Sequence, residues 1–147
     1  MADTPRVVVD SSVAVKWLLE DAESDVAAAL RLLDDHIARR VVLTAPSSML
    51  AEVLNALRSR GVSPDNLSAA ASILLRLHIE LVAVESLLME AAAIAPRCGL
   101  TVYDALLAAL ATELHCELVT ADERLATSGA CTIWLLSDMG TIQTEEA

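Results

Sequence analysis

Five short runs of branched apolar residues constrain this chain more than any other feature: Val7-Val8-Val9, Val41-Val42-Leu43, Leu81-Val82-Ala83-Val84, Leu118-Val119 and Ile133-Trp134-Leu135-Leu136. Each is too short for a helix and is bounded by polar residues, so each reads as a strand buried on both faces. Between them the apolar spacing becomes helical. Val26, Leu30, Leu33 and Ile37 keep one face, as do Leu67, Ala70, Leu74 and Leu77, and later Leu106, Leu110 and Leu114. Ser63-Pro64 places a capping residue before a proline at the first helical position, and Gly61 and Gly99 follow predicted helix ends. Strands separated by helices need crossovers, and right-handed crossovers give a mostly parallel sheet covered on both faces, a three-layer α/β sandwich. In such sheets ligands bind beyond the carboxyl ends of the strands.

A length of 147 residues suits one domain, 1–147, with no repeat or low-complexity linker at which to divide it. Only the tail, residues 141–147, reads as loosely held. No apolar run approaches the roughly 18 residues of a membrane span, and the first one ends at Asp10, too soon for a signal peptide. A soluble cytoplasmic protein is expected. Cys98, Cys116 and Cys131 are odd in number, far apart and without a Cys-x-x-Cys pair, which fits neither a disulfide framework nor zinc. They read as small buried apolar residues in a reducing compartment.

Four acidic residues stand where such a fold would use them. Asp10 directly follows the first strand run, and Asp122 follows Leu118-Val119-Thr120-Ala121 in the same way, so two strands present carboxylates at one edge. Asp104 falls in the first turn of an alanine-rich helix, and Glu52 lies in the apolar segment Ala51 to Leu57. Taken singly, Asp10 and Asp122 read equally well as helix caps, and Thr101 with Asp104 has nearly the spacing of a capping box. Glu52 is harder to explain that way, because a lone carboxylate in apolar surroundings is costly unless paired or metal-bound. As a set the four point to chemistry. Mg2+ and Mn2+ prefer oxygen ligands and keep exchangeable waters, and crowded carboxylates, whose repulsion raises pKa values, are best tolerated around such a cation. One ion suffices to activate a water, and two would also steady the leaving oxygen of a phosphodiester.

The residues that carry these acids resemble the PIN-domain nucleases, and most closely the VapC-type toxins of toxin-antitoxin pairs. The resemblance spans nearly the whole chain and rests on Val8-Val9-Asp10-Ser11-Ser12-Val13, Ala51-Glu52-Val53-Leu54-Asn55-Ala56-Leu57, Leu100-Thr101-Val102-Tyr103-Asp104-Ala105-Leu106 and Val119-Thr120-Ala121-Asp122-Glu123-Arg124-Leu125 in that order. It implies that Asp10, Glu52, Asp104 and Asp122 bind Mg2+ or Mn2+ and carry catalysis. Ser11 or Thr120 would orient a ligand or water beside them, and Asn55, three residues from Glu52, would either support a coordinating carboxylate or serve as a polar residue of the helix surface. It further implies an RNA substrate cut to a 5'-phosphate and 3'-hydroxyl, a homodimer, and a small antitoxin whose tail covers the acidic pocket. Many relatives place another acid a little after the fourth motif; here Glu123 adjoins Asp122 and Arg124-Leu125 follows, which puts a second metal in doubt.

Composition pulls the other way on one point. A net charge of -11 is poor for gripping phosphates through Lys and Arg, although two divalent ions would bring it to about -7. Arg39, Arg40, Arg58 and Arg60 are candidates for a local basic surface, and equally for solvated helix ends. With no Phe, and only Trp17, Trp134 and Tyr103 as aromatics, broad base-stacking platforms are not expected. Three other readings compete. An aspartyl-phosphate enzyme needs a second acid two residues after Asp10, where Ser12 stands. A PIN-like binding module without activity would not need a complete acidic set, and an RNA-processing nuclease would keep the chemistry without an antitoxin.

Overall fold

The central runs become strands because each finds an apolar layer on both sides, whereas the two edge runs leave Leu81 and Trp134 exposed and so fall short of the expected burial. A computed structural model of the chain describes residues 3–19 and 24–139; the tail expected at 141–147 lies outside them. The strands are β1 (Arg6–Val9), β2 (Val42–Pro46), β3 (Glu80–Val82), β4 (Leu118–Thr120) and β5 (Ile133–Leu135). The helices are α1 (Ser11–Leu18), α2 (Val26–Ile37), α3 (Met49–Ser59), α4 (Pro64–Arg76), α5 (Val84–Cys98), α6 (Val102–Leu114) and α7 (Glu123–Ala126). All pairings are parallel, in the order β3-β2-β1-β4-β5, with Val8 opposite both Thr44 and Leu118. The expected α/β sandwich is therefore formed, with a wholly rather than mostly parallel sheet.

Alternation along the strands divides the core. Val9, Leu43, Ala45 and Val119 pack with α1 to α4 on one face, while Val8 and Leu118 pack with α5, α6 and α7 on the other. Helix α6 is the middle of that second layer: Ala105 to Ala111 are all buried, so the single face expected from Leu106, Leu110 and Leu114 is an underestimate. Its alanines let α5 and the sheet approach from opposite sides. Ser63 accepts a hydrogen bond from the Asn66 N–H at 3.3 Å as the cap of α4, and Gly99 ends α5 at φ 66, a left-handed conformation that favours glycine. Several run boundaries differ from the strands: Val41 precedes β2, which continues to Pro46, Leu136 lies beyond β5, and the run Leu81 to Val84 overshoots β3. Pairing with β2 ends at Val82, and Val84 already begins α5. Among the described residues no single helix is long and apolar enough to cross a membrane; α5 and α6 pass that test only as a pair bent by 114°.

Two polar bridges tie elements together on the β2–β3 side of the sheet. Arg6 on β1 forms a two-pronged ion pair with Glu80 on β3, at 2.8 and 3.2 Å, reaching past β2, where Thr44 also donates to Glu80. His36 near the end of α2 accepts the buried Leu43 N–H at Nδ1 (3.0 Å) and, its proton thereby placed on Nε2, donates to the Leu77 carbonyl (2.8 Å). The ring thus ties α2 to β2 and to the end of α4. His36→Leu, which keeps the bulk and deletes both bonds, is expected to cost about 1–3 kcal/mol in urea unfolding, chiefly by orphaning the Leu43 N–H.

Candidate active site

Sheet order reverses at β1, whose neighbours are β2 and β4, and that reversal opens a crevice beyond the carboxyl ends of the two central strands. Asp10 closes β1 there. Its backbone caps α1, accepting from Val13 and Ala14 at 3.0 and 3.3 Å, but its side chain makes no capping bond. Instead Oδ2 accepts from both Ser12 Oγ and Thr120 Oγ1, each at 2.8 Å. These hydroxyls in turn accept the N–H groups of Ala121 (3.0 Å) and Asp122 (3.0 Å), so the carboxylate is stitched to the turn after β4. With Asp10 only 6% exposed and Oδ2 saturated, Oδ1 is the atom left to face a ligand.

The other three acids come from three different helix starts. Glu52, in the first turn of α3, accepts from Ser48 at Oε1 (3.2 Å) and from Ser11 at Oε2 (3.3 Å). Ser11 also lies 3.4 Å from Asp10 Oδ1, so one hydroxyl stands between two carboxylates. Asp104 sits in the first turn of α6, where its N–H bonds the Thr101 hydroxyl at 3.1 Å. Asp122 caps α7, accepting from the Arg124 N–H at 2.9 Å. The capping readings therefore hold for Asp122 and Thr101, and fail for the Asp10 side chain.

Electrostatics shows that the four share one region. Burial lifts the Glu52 carboxyl above its ordinary pKa, the charges on Asp10 and Asp104 add to that, and the Ser48 and Ser11 hydroxyls oppose it. Asp104 is raised first by burial and then by Asp10 and Asp122, against Thr101 and Arg124. Among the described residues no three acidic, histidine or cysteine side chains close tightly enough to enclose a metal as they stand. The donor set is nonetheless all oxygen, and an open arrangement suits a hard cation that keeps its waters and is held through one or two carboxylates.

Sequence reading missed three residues. Ser12 reads in the sequence only as not being an acid, yet it holds Asp10 Oδ2 as closely as Thr120 does; its place two residues on, in the first turn of α1, is the available signal. Ser48 and Arg124 gave no comparable one. Thr120 stands where it was expected, as does Ser11. Asn55 does not join them, because its side chain is exposed and the Glu52 oxygens are held by serines. Of the candidate basic surface, Arg40 pairs with Asp35 at 2.8 Å, and Arg58 and Arg60 end α3 far from Glu52.

The PIN domain family model matches residues 7–129, a span that contains all four acids. The chain belongs to the PIN domain family. This PIN domain resembles several solved structures. VapC20 of Mycobacterium tuberculosis, a sarcin-ricin-loop-cleaving toxin, is 20% identical with a TM-score of 0.68, covering 84% of this chain and 95% of its own. PAE2754 from Pyrobaculum aerophilum is 20% identical with a TM-score of 0.63, covering 96% and 91%. VapBC2 from Rickettsia felis, bound to a DNA fragment from its promoter, is 17% identical with a TM-score of 0.61, covering 88% and 98%. At such identities the likeness is one of fold. No curated protein matches by sequence.

Two outcomes follow for this PIN domain. Ser12→Ala strips one donor from Asp10 and the partner from the Ala121 N–H, and is expected to lower stability by about 1–2 kcal/mol in urea unfolding. Because folding raises the Asp104 pKa, this group favours the folded state most below the ordinary carboxylate pKa, and that contribution is lost as pH rises through the raised value. Metal-free Asp104→Asn should therefore match or exceed the wild-type unfolding free energy at neutral pH, by no more than about 1 kcal/mol in urea unfolding after solvent screening. Added Mg2+ should narrow the gap by stabilising the wild type alone.

Proposed function

We propose that this protein is a ribonuclease dependent on Mg2+ or Mn2+, and that it acts as the toxin of a VapBC-type pair. One observation supports the reading: acids from four separate segments bear electrostatically on one another, Asp10 stands where the sheet order reverses, and burial together with the charge of the others raises Glu52 and Asp104. Such crowding is costly on its own, and functional sites are where it is found. Asp10, Glu52, Asp104 and Asp122 would hold one or two ions, which supply a water activated at neutral pH and positive charge against the phosphodiester.

The remaining work falls to the chain. Ser12 and Thr120 occupy Asp10 Oδ2 and so aim Oδ1 into the crevice. Ser11 and Ser48 hold the two Glu52 oxygens, which limits rotation of that carboxylate. Arg124, whose charge bears on Asp104, is placed to meet a phosphate at an edge that is otherwise acidic. Hydrolysis adds water across one P–O bond, and the resemblance implies a 5'-phosphate and 3'-hydroxyl as products. Saturation of Asp10 Oδ2, with Ser12 in the position of a second acid, disfavours the aspartyl-phosphate alternative.

RNA as the substrate is supported by the similarity to VapC20, a toxin that cleaves the sarcin-ricin loop. The VapBC2 structure supports a small partner protein of the antitoxin kind. A homodimer and a cytoplasmic location belong to the same proposal.

The test is cleavage of structured RNA by purified protein during a Mg2+ and Mn2+ titration. Activity should require the ion and vanish with chelator. Asp10→Asn should lose at least about 100-fold with the circular dichroism spectrum unchanged. An Asp10→Asn protein that cuts at the wild-type rate would refute the metal site.

A further inference from the structure

Away from the acidic crevice, at the amino ends of the strands, the three cysteines pack against one core, half-buried rather than fully enclosed. Pairing of β4 with β5 opens at the parallel bridge between Leu118 and Ile133, where the Leu118 N–H bonds the Thr132 carbonyl at 3.0 Å. Cys116 and Cys131 each stand two residues before that first bridge, so it holds the two at the same end of one strand pair. Both pack against the α5–α6 core.

Neighbouring strands stand about 4.8 Å apart, inside the roughly 4.4–6.8 Å between Cα atoms that a disulfide spans. Both thiols are half-buried, and both line an open cavity of about 800 Å³ whose rim includes Pro5, Arg6 and Thr132, so a small reagent has access to them. Cys98, at the end of α5, packs against the same core but does not line the cavity.

We propose that Cys116 and Cys131 form a vicinal dithiol that closes reversibly to an intramolecular disulfide when it meets a low-molecular-weight disulfide such as oxidised glutathione. One cysteine thiolate attacks the small disulfide, forms a mixed disulfide and releases one small thiolate. The second cysteine thiolate attacks the protein sulfur of that mixed disulfide, forms the Cys116–Cys131 bond and expels the second small thiolate. Two S–H bonds are lost and one S–S bond is made, while the oxidant is reduced to two thiols that take up the two protons.

The surroundings set the rate. Burial pushes the Cys131 thiol up to about 11, with the nearby Cys116 and Cys98 adding to the rise. Burial and Glu117 also raise Cys116, against Arg6 and a Val8 backbone bond. Little thiolate exists at neutral pH, so the pair stays reduced in a reducing compartment and closes slowly. The ring so formed runs from residue 116 to residue 131 and encloses β4, the turn bearing Asp122 and α7.

The experiment treats the intact native chain with oxidised glutathione between about pH 7 and pH 9, followed by alkylation and peptide mapping. The expected product has lost about 2 Da, links Cys116 to Cys131, leaves Cys98 free for alkylation, reverts with dithiothreitol and melts several degrees higher. Its rate should climb steeply across that pH range. Cys98→Ser should close normally, whereas Cys116→Ser and Cys131→Ser should each stop at the mixed disulfide. Three free thiols throughout, a persistent glutathione adduct on the wild type, or a link involving Cys98 would each overturn the assignment. None of these outcomes depends on whether the chain cuts RNA.

Discussion

Everything at the acidic edge depends on how one oxygen, Asp10 Oδ2, is satisfied. Two hydroxyls from different elements converge on it, and each is itself anchored by a backbone N–H of the turn after β4. This joins β1, the first turn of α1 and the end of β4 in a single polar knot at the sheet reversal. A buried charge is tolerable only when its lone pairs are matched in this way. Once they are, the position of the second oxygen follows, and so does the spacing between Asp10 and Asp122.

The same site works against the stability of the chain that builds it. Glu52 and Asp104 are half-buried acids facing other acids, and no lysine or arginine is bonded to either carboxylate among the contacts described. The rest of the molecule supplies the compensation through ordinary means: a sheet covered on both faces, a helix buried over two turns, and a histidine that satisfies two backbone groups at once. Strain is concentrated where a ligand would relieve it, which is the usual arrangement of functional residues within a stable scaffold.

Much of this was legible in the residues because period is a physical signal. Short apolar runs cannot be helices and must be covered, so five parallel strands and their crossovers follow with little else assumed. The acids were legible because Asp10 and Asp122 end strand runs, and because Glu52 has no apolar-core explanation. What stayed hidden depends on contacts distant along the chain. Ser12 matters only because Thr120 and Ala121 arrive beside it, more than a hundred residues later. Asn55 looked well placed by helical spacing, but that face of α3 turns to solvent. His36 carries no motif, because its two partners, Leu43 and Leu77, meet only in the folded chain. The misplaced end of β3 has a simpler cause: Val82 and Val84 are equally apolar, and composition does not mark where pairing with β2 stops.

The sheet is assembled from two stretches of chain that meet between β1 and β4. Asp10 and Glu52 belong to the first stretch, Asp104 and Asp122 to the second, and the hydroxyl that completes the hold on Asp10 comes from β4. While a ribosome is still extending the first stretch, the emerging polypeptide has two of the four acids and only the Ser12 part of the knot. A chain built in this order does not complete its acidic crevice until its final third has been synthesised and has docked.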